Sequence, residues 1–258
     1  MIKSELTMRS CSLNMDTKVT VLLPEDRRNM PRDLRGRKYP VLYILHGYKE
    51  DCSAWLDLSN IFLLCRDLDL IVVMPSANNS CYNNSEYGQN YYDWIVEELP
   101  IKLKNIFPIS DRREDTFIMG ESMGGYGTLR IALSKPERYG KAVCLSGANL
   151  ARMENVSQDM KLYIGEKEEA LNSDANIENL VEKIRKDKIE CPELRFYCGT
   201  EDFIYDACRE IAEHIEKIFP DKVKQEYWHG EHNFFFWNEA NPKALRFFGF
   251  EVKENSTI

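Results

Sequence analysis

Residues 118–127 read Ile118-Met119-Gly120-Glu121-Ser122-Met123-Gly124-Gly125-Tyr126-Gly127, and the Gly120-x-Ser122-x-Gly124 at their centre is the pattern by which a strand reverses sharply into a helix. The reversal holds the serine in strained dihedrals. A Cβ at either flank would collide with the neighbouring strand or helix, so both flanks are glycine. The following helix aims its first free amides and the positive end of its dipole at the hydroxyl, which favours an anion there. A glycine-rich turn alone is commonly just a turn, but the surroundings agree with an elbow. Thr116-Phe117-Ile118-Met119 is apolar and β-prone, Gly127 to Leu133 continues as a helix, and Lys135-Pro136 stops it. Strand, elbow and helix in this order predict an exposed nucleophile, Ser122.

A serine hydroxyl is too weak an acid to attack an ester at neutral pH, so it needs a base, and the base needs a carboxylate to fix its tautomer. The chain has four histidines. His214 sits in the helical pattern Ile211 to Ile218, and His46 ends an apolar strand before Gly47, where it reads as structural. His229 and His232 follow the last candidate strand, and His232, after Gly230 and before anchoring aromatics, is preferred. For the acid, Phe196-Tyr197-Cys198 reads as a strand and Gly199-Thr200-Glu201-Asp202 as the turn at its end. Asp202 is preferred, with helix N-capping as its ordinary alternative and Glu201 and Asp206 in reserve. The order Ser122, Asp202, His232 is that of the α/β-hydrolase fold. Oxyanion donors are expected from the Met123 N–H and from the Tyr48 N–H, which follows the run Val41 to Gly47.

Eight apolar or β-branched runs recur, near Thr7–Leu13, Lys18–Leu23, Tyr39–Leu45, Leu70–Met74, Thr116–Met119, Lys141–Leu145, Leu194–Cys198 and Val223–Tyr227. The first two read as a hairpin, and the later ones are nearly all apolar and separated by helix-length segments. The expected architecture is a mostly parallel eight-stranded sheet with an antiparallel N-terminal edge and helices on both faces. Asp93–Phe107 reads as a helix with an irregularity at Pro100. The chain's 258 residues are expected to form one domain, 1–258, with a small cap insertion at about 150–191. Within it Ile177, Leu180, Val181 and Ile184 have helical spacing.

The stretches Tyr43–Gly47, Ile71–Pro75, Tyr87–Tyr92, Glu97–Pro100 and Gly120–Gly127 resemble the bacterial tributyrin esterases of the esterase D group, a set related to feruloyl esterases and S-formylglutathione hydrolases. The likeness runs from about Lys38 to Gly147 and resumes at Gly199–Asp202 and Gly230–Phe234. It implies Ser122 as nucleophile, Asp202 as acid, His232 as base, oxyanion amides at Tyr48 and Met123, and a carboxylesterase for short acyl chains that can extend to sugar acetates. Cys52 lies farther along than the cysteine usual after the oxyanion turn of S-formylglutathione hydrolases, which disfavours a thioester substrate. Trp55, Tyr82, Tyr91 and Trp94 are aromatics suited to line a pocket and stack on a sugar or phenolic group, a task that competes with simple core packing.

A formal charge of −8 argues against a nucleic-acid partner. No apolar run approaches the roughly 20 residues that span a bilayer, and Met1-Ile2-Lys3-Ser4-Glu5 lacks the features of a secretory signal, so a cytoplasmic location without membrane contact is expected. Eight scattered cysteines without C-x-x-C read as reduced thiols with no metal, and no cofactor is expected. The expected partners are a small-molecule ester and, in a homo-oligomer, further copies of the chain. The remote alternative is a non-catalytic binding protein on a hydrolase scaffold.

Overall fold

The structure, a computed structural model of the chain, describes residues 1–25 and 36–252; residues 26–35 and 253–258 of the 1–258 unit lie outside the described residues. Among the described residues eight strands form one sheet: β1 (Ile2–Ser10), β2 (Met15–Leu23), β3 (Val41–Leu45), β4 (Ile71–Pro75), β5 (Thr116–Glu121), β6 (Lys141–Leu145), β7 (Glu193–Gly199) and β8 (Val223–Trp228). Their order is β1-β2-β4-β3-β5-β6-β7-β8. β1 and β2 pair antiparallel, β2 runs antiparallel to β4, and every pairing from β4 across to β8 is parallel. This is the α/β-hydrolase sheet expected from the sequence.

All five residues of β3 and of β4 are buried, as strands covered on both faces must be. Alternate β3 residues feed opposite faces. Val41 and Tyr43 join a core with Leu129 of the helix after the elbow, while Leu42 and Ile44 join a second core with Trp55, Trp237 and Leu245. β1 differs from its expected position, beginning at Ile2 rather than Thr7 and ending before Leu13. Lys3, Glu5, Thr7 and Arg9 face water in alternation with more buried neighbours, an edge-strand pattern that an apolar-run criterion misses. Leu13 lies in the turn, which Asn14 closes at φ +52°. Every cysteine except Cys11 is buried.

The expected irregularity near Pro100 is a π-helical turn, Trp94–Glu98, immediately before the helix Leu99–Ile106. Pro100 has no N–H to offer the Val96 carbonyl four residues back, and the Arg138 guanidinium donates to that oxygen at 2.7 Å instead. Between β6 and β7 the chain forms the helices Gln158–Ile164, Lys167–Asn172 and Ile177–Asp187. The last buries Ile177, Leu180, Val181 and Ile184, and its N-cap Asn176 accepts the Glu178 N–H at 3.2 Å. Among the described residues no helix is long and apolar enough to cross a membrane.

Candidate active site

The chain passes from β5 to the helix Met123–Ser134 through Ser122, whose backbone sits at φ +55° and ψ −118°. A non-glycine residue there is strained by about 1–3 kcal/mol and persists only when its surroundings fix it. They do so through the Ser122 N–H, which donates to Leu145 O at 2.9 Å, and the Ser122 carbonyl, which accepts the Tyr126 N–H at 3.1 Å. The flanking glycines are required by close approach. A Cβ on Gly120 would stand 2.5 Å from the Gly124 carbonyl oxygen, and one on Gly124 would overlap the Leu45 carbonyl oxygen.

The structure brings Ser122, His232 and Asp202 together from three loops. Ser122 Oγ and His232 Nε2 are 2.8 Å apart, and His232 Nδ1 lies 2.9 and 2.8 Å from the two Asp202 oxygens. A carboxylate only accepts, so Nδ1 carries the proton and Nε2 is the acceptor for the serine hydroxyl. Two aromatic rings hold the imidazole, Phe203 at 4.4 Å between centroids and Trp237 edge-on at 5.1 Å. Asp202 Oδ1 also takes the Ile204 N–H at 2.9 Å, so the residue keeps its capping duty while facing the histidine. Burial pushes the Asp202 carboxyl up, but the hydrogen bonds from His232 and the Ile204 amide outweigh it and hold the group below its ordinary value.

The other candidates fall elsewhere. The His229 side chain is 91% exposed and pairs with Glu201 at 3.0 Å. His46 is buried, donating Nδ1–H to Gly47 O at 2.7 Å and accepting the Ala77 N–H at Nε2 at 2.9 Å. Glu201 accepts the Gly230 N–H at 2.6 Å, and Asp206 faces solvent on the helix Tyr205–Ile218. His214 lies on that same helix.

Tyr48 and Met123 line one cavity with Ser122 and His232. The peptide joining Gly47 to Tyr48 is trans, so its N–H points opposite to the carbonyl that His46 grips, and the His46 bond sets the direction of the Tyr48 amide. A further tether was not legible in the sequence. The Tyr48 hydroxyl donates to both Asp159 oxygens at 2.9 Å, Asn79 Nδ2 donates to Asp159 at 2.9 Å, and the Lys49 N–H donates to Asn79 Oδ1 at 2.8 Å. Burial raises the Asp159 carboxyl, yet the hydrogen bonds from Ser157, Tyr48 and Asn79 prevail and keep it below the usual carboxylate range. Asp159 belongs to the helix Gln158–Ile164, so the segment between β6 and β7 is tied to the turn after β3. Tyr48→Phe removes a hydrogen bond to a charged group at a part-exposed site, for which about 1 kcal/mol is expected. We expect kcat for p-nitrophenyl acetate to fall about fivefold and Tm to fall by about 2–4 °C; an unaltered kcat would dismiss the tether as surface decoration.

The cavity has a volume of about 580 Å³. The segment between β6 and β7 supplies Leu150, Met153, Val156 and Met160 to its wall, and the stretches beside Asp202 and His232 supply Phe203, Ile204, Phe234 and Trp237. The four aromatics expected at the pocket are corrected here: Trp55, Tyr82, Tyr91 and Trp94 are fully buried and lie outside the cavity wall. Each is spent on the core. Trp55 Nε1–H donates to Leu45 O at 3.1 Å, the Tyr82 hydroxyl donates to His46 O at 2.8 Å, Tyr91 accepts from Asn78, and Trp94, the first residue of the π-helical turn, packs in the same core as Tyr82 and Tyr91. The signal that marks the true lining aromatics is adjacency, since Phe203 follows Asp202 and Phe234 and Trp237 follow His232. Among the described residues no group of three His, Cys, Asp or Glu side chains is placed to hold a metal ion.

A sheet of this order, with a strand–serine–helix elbow at β5, defines a serine ester hydrolase of the α/β-hydrolase class. The chain belongs to the Esterase family, described as putative esterases, which matches residues 10–245. An acetyl esterase of Caldicellulosiruptor saccharolyticus is 28% identical over 255 residues, covering 93% of this chain and 96% of the relative. A fluorophosphonate-binding serine hydrolase of Staphylococcus aureus, solved with substrate bound, is 29% identical, covers 97% of this chain and 99% of its own, and superposes with a TM-score of 0.87. An S-formylglutathione hydrolase of Staphylococcus aureus is also 29% identical, with coverage of 96% and 98% and a TM-score of 0.84.

Proposed function

We propose that the protein hydrolyses neutral short-chain acyl esters, acetyl to butyryl, with acetylated sugars as a natural alcohol class. Ser122 is the nucleophile, His232 the base and Asp202 the acid. His232 Nε2 takes the Ser122 proton as Oγ attacks the ester carbonyl carbon, and the resulting oxyanion is received by the Tyr48 and Met123 amides. Collapse expels the alcohol, which takes the proton from the imidazolium. Water then attacks the acyl-enzyme with the same base, releasing the carboxylic acid and freeing Ser122. The observation carrying this reading is the bridging imidazole, 2.8 Å from Ser122 Oγ and 2.8 Å from the nearer Asp202 oxygen.

Substrate charge follows from the cavity wall. Glu50 and Glu121 line it, and among the described residues no lysine or arginine does. An anionic thioester such as S-formylglutathione meets no counter-charge there, whereas a neutral acetyl ester meets an apolar wall. The acetyl esterase relative points the same way. The test compares kcat/KM for p-nitrophenyl acetate, butyrate and octanoate, acetylated xylo-oligosaccharides, methyl ferulate and S-formylglutathione. Acetate and butyrate are expected at least about tenfold above octanoate, and all neutral acetates above S-formylglutathione. A preference for octanoate or for the thioester would overturn the assignment.

A further inference from the structure

Two carboxyl side chains in the cavity wall take no part in the ester chemistry above. Glu121 ends β5 immediately before Ser122 and is 1% exposed. Its carboxyl lies so close to Gly47 that a Cβ on that glycine would stand 2.5 Å from Oε2 and 2.7 Å from Oε1. Glu50, half-buried, lies within hydrogen-bonding reach of Glu121 and takes the Gly47 N–H on Oε2 at 3.1 Å. Glu121 Oε1 is buried and receives no N–H or O–H among the described residues.

Two ionised carboxylates in contact, one of them sealed from water, would repel each other and leave that oxygen unsatisfied. One proton held between them removes the second charge and supplies the missing donor. Facing the pair are His46 from the turn after β3, Tyr82 from the segment after β4, and His232 with the rest of the cavity wall. Among the described residues no cationic lysine or arginine in that wall offers an alternative neutralisation.

We propose that Glu121 is a positioning residue: as a neutral acid it donates its O–H to Glu50, and the joined pair fixes Gly47 and with it the Tyr48 amide that meets the oxyanion. The peptide is then held on both sides, its carbonyl by His46 and the preceding N–H by Glu50. Burial first, and then the Glu50 charge and contact, push the Glu121 carboxyl well above the ordinary range. When the shared proton leaves at alkaline pH, the turn loses its clasp and a new negative charge stands beside the developing oxyanion, so the rate falls. This rests on Ser122 as the nucleophile and Tyr48 as an oxyanion donor.

The experiment uses the full chain and the variants Glu121→Gln and Glu121→Leu. It measures kcat and KM for p-nitrophenyl acetate and, separately, Tm, each from about pH 6 to about pH 10. Glu121→Leu is expected to lose about 30-fold in kcat with KM within about threefold. Glu121→Gln, whose amide donates at every pH, is expected to recover most of that loss and to stay active where the wild type declines. A carboxyl whose folded value is raised contributes stability present at acid pH and lost as pH rises through that value. The wild type therefore weakens against Glu121→Gln as pH rises. A Gln variant with the wild-type alkaline decline, and a Tm difference constant with pH, would overturn the proposal, and it decides the matter even where the Leu variant does not fold. Retained turnover in Ser122→Ala would sink the proposed function instead, while the Tm comparison, which needs no turnover, still reads the shared proton.

Discussion

Ser122→Ala is expected to lower kcat for p-nitrophenyl acetate by about 10⁴-fold or more, with fluorophosphonate labelling abolished and Tm within a few degrees of wild type. The effect is this large because the other groups at the site act through the Ser122 oxygen. His232 Nε2 has that hydroxyl as its partner at 2.8 Å, and Asp202 acts on the serine only through the ring. His232→Ala is therefore expected to lose nearly as much, and the double variant no more than the worse of the two. Steady-state kinetics of the three variants check this. Additive losses would mean that serine and histidine act in separate steps and would break the assignment.

Asp202→Asn is expected to cost about 10³–10⁴-fold in kcat while leaving the backbone in place. The Ile204 N–H at 2.9 Å, with the Ser146 hydroxyl in reach, retains an oxygen on its side of residue 202, so the new amide nitrogen turns toward His232 Nδ1. A donor there forces the ring's proton onto Nε2, where it can no longer accept from Ser122. The same substitution has a stability signature. The Asp202 carboxyl is held below its ordinary value, so its contribution is present above the unfolded-state pKa of about 3.9 and lost as pH falls through the folded value. The Tm gap between wild type and Asp202→Asn should therefore shrink from about pH 7 to about pH 3. A variant that retains wild-type kcat would remove Asp202 from the mechanism.

The elbow and its two proposed partners were legible because each carries a local signal. Gly120 packs on the Gly124 carbonyl four residues on and Gly124 on the Leu45 carbonyl of β3, a demand the Gly-x-Ser-x-Gly spacing encodes, and Asp202 and His232 each stand just past the end of a readable strand. The cavity wall was not legible. Met153, Val156 and Met160 lie in a polar segment without strong periodicity, and what makes them lining residues is the elbow opposite, which their own neighbours in the chain do not signal. Trp55, Tyr82, Tyr91 and Trp94 failed for the complementary reason, since aromatic character fits a core and a pocket equally and only depth separates the two. Asp159 could not be found from sequence at all: its partners Tyr48 and Asn79 come from turns after two other strands. β1 was misplaced because an edge strand alternates charge with modest hydrophobes and carries little apolar signal.

The distribution of sulfur has a consequence for how the molecule meets oxidants and alkylating agents. Among the cysteines Cys11 alone is at the surface, so the folded chain offers thiol-directed reagents a single cysteine sulfur. Cys144 and Cys198 stand on adjacent central strands and Cys208 on the helix packed beside them, so these sulfurs become reactive only when the sheet itself parts. The number of modified cysteines per chain thus records how much of the interior has opened during an exposure, a chemical tally that the amino-acid order has placed inside the fold.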